Sequence, residues 1–133
     1  MGPRRSLDLS DIGTLVVLFG DETSFGLGAA LRGNAQSNDS TYVFEVSDFA
    51  ESRRVLEAID LKDAILIERT ADETHLAGAK AALVRLAAKG AQIVLTGKAS
   101  SIQQMSRALK AAGVGSARVK AKAYWTPGKT GLD

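Results

Sequence analysis

The stretch Leu15–Gly33, "LVVLFGDETSFGLGAALRG", decides the fold. Leu15–Phe19 is an unbroken apolar run, as expected of a strand covered on both faces. Gly20 then opens a short polar turn, Gly20–Ser24. Beyond it Leu27, Ala30 and Leu31 fall at helical spacing, with a helix start near Thr23 or Ser24. Such a turn suits a phosphate, because N–H groups in the first turn of a helix lack partners and the dipole there is positive. Yet it carries Asp21 and Glu22, where a nucleotide would bring more negative charge. The two acids are expected to point away from the phosphate, capping the helix or meeting a ribose hydroxyl, while Gly20 lets a ligand approach the backbone. The plainer alternative is a polar cap on a buried strand–helix corner. Neither GxGxxG nor the Walker lysine loop is present, since the glycines of "GLGAALRG" (Gly26–Gly33) lie inside the helix.

Working outward, apolar runs alternate with 3.6-period runs along the chain. Five strands are predicted: Leu15–Phe19, Tyr42–Val46, Ala64–Glu68, Gln92–Thr96 and Arg118–Tyr124. The second helix opens with Asp48 as cap and Glu51 three residues on, and is expected to bury Phe49, Leu56 and Ile59. The third shows Leu76, Ala79, Leu83 and Leu86 and stops at Gly90. The fourth is capped by Ser100 or Ser101, carries Ile102, Met105 and Leu109 inward, and ends at Gly113. The fold class is therefore α/β: a five-stranded, doubly wound parallel sheet with helices on both faces. Arg32–Ser40 reads as a polar loop. Residues 1–13 read as a linker-like segment and residues 14–133 as the domain.

Ligands of open parallel sheets gather at the carboxyl ends of the strands. That edge gathers Gly20, Asp21, Glu22, Thr23 and Ser24, then Ser47 and Asp48, Glu68–Thr70, and Thr96, Gly97 and Lys98 up to Ser101. Arg69 and Lys98 end the third and fourth strands and can converge on an adenosine ribose, where a 2′-phosphate would reward two cations. On that reading Arg69→Ala weakens NADPH more than NADH. His75, beside Asp72 and Glu73, reads as a surface histidine with no catalytic role. Tyr124 and Trp125 offer a packing surface or a flat face for a ring.

Composition narrows the classes. Forty-five per cent hydrophobic residues in 133 fit one compact domain, and no run approaches the roughly 20 apolar residues of a membrane span. Met1–Ser10 lacks the apolar stretch of a signal peptide, so the chain reads as cytoplasmic. Without cysteine and with one histidine, thiolate and paired-histidine metal sites are excluded. A net charge of +2, spread over all elements, with 5% aromatics, argues against a nucleic-acid groove.

Three segments then carry a family resemblance. "LVVLFGDETSFGLGAAL" resembles the "GDET" segment opening the nucleotide-binding domain of the siderophore-interacting proteins, the NAD(P)H-dependent ferric-siderophore reductases. "AYWTPGKTG" is similar to the "GYW" segment closing that domain, and "GPRRS" (Gly2–Ser6) to the linker that leaves the family's flavin-binding barrel. The resemblance covers nearly the whole chain and implies the C-terminal NAD(P)H-binding domain of a ferredoxin–NADP⁺ reductase-like flavoprotein. It places Gly20–Ser24 beside the pyrophosphate and nicotinamide, Arg69 near the adenosine ribose, Thr96–Lys98 along the nucleotide, and Tyr124 and Trp125 at the domain junction. It implies NADPH or NADH as coenzyme, with FAD held by another domain or protein, because no barrel segment is found in these residues. By itself such a domain would catalyse little, and the surface the barrel would cover invites a homodimer. Lys98 departs from the family, which often has an acid there. The alternative is a non-catalytic interaction or regulatory module that keeps the fold.

Overall fold

Strand β1 (Leu15–Gly20) sorts the core by its alternation. In the computed structural model, which describes residues 15–33 and 39–125, Val16 and Leu18 face one layer and Val17 and Phe19 the other. The first layer is closed by α1 (Phe25–Gly33) and α2 (Phe49–Ala58), through Phe25, Leu31 and Leu56. The second is closed by α3 (Leu76–Ala88) and α4 (Ala99–Ala111), through Leu76, Ala79, Leu83, Ile102, Met105 and Leu109. Each large side chain fully removed from water in these layers contributes about 1.5–3 kcal/mol.

The other strands are β2 (Asp39–Val46), β3 (Ile65–Glu68), β4 (Gln92–Lys98) and β5 (Val119–Trp125). All pairings are parallel, in the order β3-β2-β1-β4-β5. The chain winds outward from β1 to β3, then crosses back to β4 at the sheet's centre. The order therefore reverses between β1 and β4, and the crevice at their carboxyl ends is where such sheets hold ligands.

The predicted doubly wound α/β sheet is the one observed, with local differences. Asp48 caps α2, accepting the Glu51 N–H at 2.9 Å. Gly90 and Gly113 follow α3 and α4 with φ of 99° and 87°, the left-handed stops expected of them. Phe49 is not buried: it sits in the first turn of α2, 46% exposed, with the Arg53 guanidinium over its ring. Ala30 is likewise exposed, and Gly28 takes the inward position against Leu61 and Phe44. Ala87 fills the last buried position of α3, while Leu86 packs at its margin.

The polar loop assigned to Arg32–Ser40 is shorter than expected, because Arg32 and Gly33 complete α1 and Asp39 and Ser40 begin β2. The segments "MGPRRSLDLSDIG" and "TPGKTGLD" lie outside the described residues. Among the described residues no helix is long and apolar enough to cross a membrane.

Candidate functional site

Neither Thr23 nor Ser24 caps the first helix. Asp21 does: its Oδ1 accepts the Thr23 N–H at 2.9 Å and the Thr23 hydroxyl, starting a 3-10 turn over Glu22–Ser24 that runs into α1. The anion expected at this turn is thus supplied by the chain itself. Ser24 and Thr96 are fully buried and bonded to each other at 2.6 Å. Thr96 gives its one hydroxyl proton to the Phe19 carbonyl at 3.0 Å, so Ser24 is the donor in that pair. These two side chains fasten the turn to β1 and β4 and hold Gly20 between them.

Glu22 bends the other way, toward the end of β2. Its Oε2 accepts the Ser47 N–H at 2.7 Å, and its Oε1 accepts from Arg69 at 3.0 Å. Burial pushes the Glu22 carboxyl up, but the Ser47 N–H and the Arg69 guanidinium outweigh it and hold it below the ordinary 4.5. A depressed folded value means stability that is present above the unfolded value and lost as pH falls through the folded one. Wild type is therefore expected to exceed Glu22→Gln in urea midpoint above about pH 4.5, with the advantage shrinking as pH falls further. Midpoints measured from pH 7 to pH 3 check this, and a gap independent of pH would contradict it.

Arg69 does not stand beside Lys98 as a second open cation. It donates to the Ser47 hydroxyl at 2.7 Å, reaches Asp21 at 3.4 Å, and lies 3.8 Å from Glu45 through Nε. Lys98 instead meets Glu73 at 3.3 Å, whose other oxygen accepts from Gln104 at 2.6 Å. Burial raises the Glu73 carboxyl, and Lys98 and Gln104 more than reverse this.

His75 is not a surface side chain: only 4% of it is exposed. Its Nδ1 accepts the Thr70 N–H at 3.1 Å, which puts the ring proton on Nε2, 2.8 Å from Glu45 Oε1. Glu45 is the residue missed in the sequence. A carboxylate inside a buried strand needs partners, and its place in "TYVFEV" was the available signal. With both ring nitrogens engaged, His75 ties the start of α3 to β2.

At the other side of the crevice, β4 runs two residues past its predicted end. Gly97, with φ of 99°, marks a β-bulge against β5, and a Cβ there would lie 3.0–3.2 Å from the Asp21 carboxylate. The helix α4 then starts at Ala99, and no side chain caps it. Ser100 and Ser101, expected as caps, fall inside its first turn, and their buried hydroxyl oxygens have no hydrogen-bond partner. An uncapped 13-residue helix whose first turn holds two unpartnered hydroxyls fits a phosphate-bearing group.

A groove of about 530 Å³ between α3 and α4 adjoins this point, lined by Lys80, Ser100, Gln103, Gln104, Arg107 and Ala108, but Gly20–Ser24 does not line it. Tyr124 and Trp125 end β5, with Trp125 paired to Lys98, and their side chains lie outside the described residues. Among the described residues, no three His, Asp or Glu side chains are grouped to hold a metal ion.

The strand order and the site at its reversal define a class: the α/β fold of the ferredoxin–NADP⁺ reductases. A variant of that reductase from Plasmodium falciparum, solved in complex with 2′P-AMP, matches with a TM-score of 0.53 at 12% identity over 84% of this chain. This chain spans about half of that one, 53% of its length. The chain belongs to the siderophore-interacting protein family, whose family model matches residues 14–128. No curated protein matches it.

Proposed function

We propose that this chain is the NAD(P)H-binding domain of a flavin-dependent oxidoreductase of the ferric-siderophore reductase kind, presenting its coenzyme to FAD held by another domain or chain. The observation that carries this reading is the uncapped start of α4, with the unpartnered Ser100 and Ser101 hydroxyls, at the reversal point of the sheet. Family membership and the reductase-like fold support it.

On this reading the first turn of α4 holds the pyrophosphate, and Glu22 and Arg69 meet the adenosine ribose. Gly97 keeps β4 close to Asp21, and the Ser24–Thr96 bond fixes the Gly20 turn. Tyr124 and Trp125, where β5 ends, are assigned to the domain junction. A reduced nicotinamide bound here supplies two electrons to the flavin. The chain's own part is orientation, and none of its residues is assigned a proton transfer.

Calorimetric titration with NADH, NADPH and FAD tests the reading. Saturable binding of a dinucleotide with none of FAD is the expected result. No dinucleotide binding up to millimolar concentration would contradict it and favour an interaction module.

A further inference from the structure

We infer that Glu22, held by Ser47 and Arg69, makes this site select the coenzyme without a 2′-phosphate, NADH over NADPH, an inference that rests on the dinucleotide-binding reading above. The first ground is the occupation of Arg69. One terminal nitrogen donates to the Ser47 hydroxyl, the other to Glu22 at 3.0 Å and Asp21 at 3.4 Å, and Nε lies 3.8 Å from Glu45. The cation that a 2′-phosphate would use is already opposed by three carboxylates.

The second ground is the sign of the charge. One guanidinium against Asp21, Glu22 and Glu45 leaves a formal surplus of two negative charges. His75 lies on the far side of Glu45, 2.8 Å from its Oε1, and Lys98 is opposed by Glu73. A phosphate ester would add about 1.5–2 further negative charges to this cluster.

The third ground is what Glu22 offers. A carboxylate accepts about four hydrogen bonds, so beside the one from Ser47 and the two from Arg69 it has capacity for one hydroxyl of an unmodified ribose. An acid at the strand end for the ribose diol, against a basic side chain for the 2′-phosphate, is how dinucleotide folds generally separate the two coenzymes. The arrangement reverses what the sequence alone leads one to expect of Arg69. It is engaged in seating Glu22 rather than in waiting for a phosphate.

The test is titration of the full chain with NADH and with NADPH, in wild type and in Glu22→Gln. Wild type is expected to bind NADH on the order of tenfold more tightly or better, since juxtaposed like charges are strongly unfavourable. Glu22→Gln is expected to narrow that ratio severalfold, with thermal unfolding confirming that the variant is folded. NADPH binding as tightly as NADH would overturn the inference and leave the dinucleotide reading standing. A ratio unchanged in Glu22→Gln would overturn the assignment to Glu22. Binding of neither coenzyme by wild type would overturn the dinucleotide reading and this inference with it.

Discussion

Replacing Arg69 with alanine is expected to lower the unfolding free energy by about 3 kcal/mol. Asp21 and Glu45 keep only 1% and 2% of their side chains in water, and Arg69 is the cation opposite both. Its removal leaves two buried carboxylates with much less compensation and frees Glu22 from one of its two anchors. Breaking a buried pair from one side costs about 3–5 kcal/mol, and the lower end applies because Arg69 itself remains 21% exposed. That is a large share of the roughly 5–15 kcal/mol that holds a domain folded. Arg69→Lys keeps the charge but loses the planar fork, and is expected to recover part of the loss. Urea unfolding of the three proteins decides the matter. A loss under about 1 kcal/mol in Arg69→Ala would mean that the cluster is worth no more than a surface ion pair.

The second large effect is expected at Gly20. A Cβ there would stand 2.4 Å from Ser24 Oγ and 2.6 Å from Thr96 Oγ1, both of them buried and bonded to each other. Neither hydroxyl can withdraw without breaking the link between β1, β4 and the 3-10 turn. Gly20→Ala is thus expected to cost about 2–3 kcal/mol through overpacking. It should also weaken dinucleotide binding, because the turn it displaces carries Asp21 and Glu22. Gly26→Ala is the matched control: nothing lies within 4 Å of its Cβ and it sits in α1, so a gain of about 0.5–1 kcal/mol is expected. Equal destabilisation by both substitutions would show that the cause is not the Ser24–Thr96 contact.

Much of the fold was legible because it rests on local periodicity. The alternation of Leu15–Phe19 and the helical spacing of Leu76, Ala79 and Leu83 each report a buried face within a few residues. The Asp48 cap and the Gly90 and Gly113 stops are local in the same sense. What was not legible depends on partners far along the chain. Glu45 and His75 are 30 residues apart, and Arg69 meets Glu22 across 47, so no window of sequence shows that these charges share one place.

The start of α4 was misplaced for a local reason. "TGKASS" reads as a strand end followed by a serine cap, but the left-handed Gly97 lets β4 continue to Lys98, which moves both serines into the helix. That shift also creates the feature on which the functional reading depends, since a serine spent as the cap would have left one fewer unpartnered hydroxyl. Phe49 shows the limit of periodicity at a helix end, where an apolar residue at the right spacing is left 46% exposed.

Asp21 replaces an incoming anion as the cap of the first turn, and Glu22 is turned away to Ser47 and Arg69. On the proposed function, the phosphate-bearing ligand sits instead at the start of α4, across the crevice.

Dinucleotide binding at the start of α4 is tested most directly by following backbone amide resonances of the uniformly ¹⁵N-labelled chain while NADH is added. The largest saturable shifts are expected at Ala99–Ser101, with further shifts at Glu22, Thr23 and Ser47, and little change along the outer face of α2. Shifts confined to other surfaces, or none up to millimolar NADH, would contradict it.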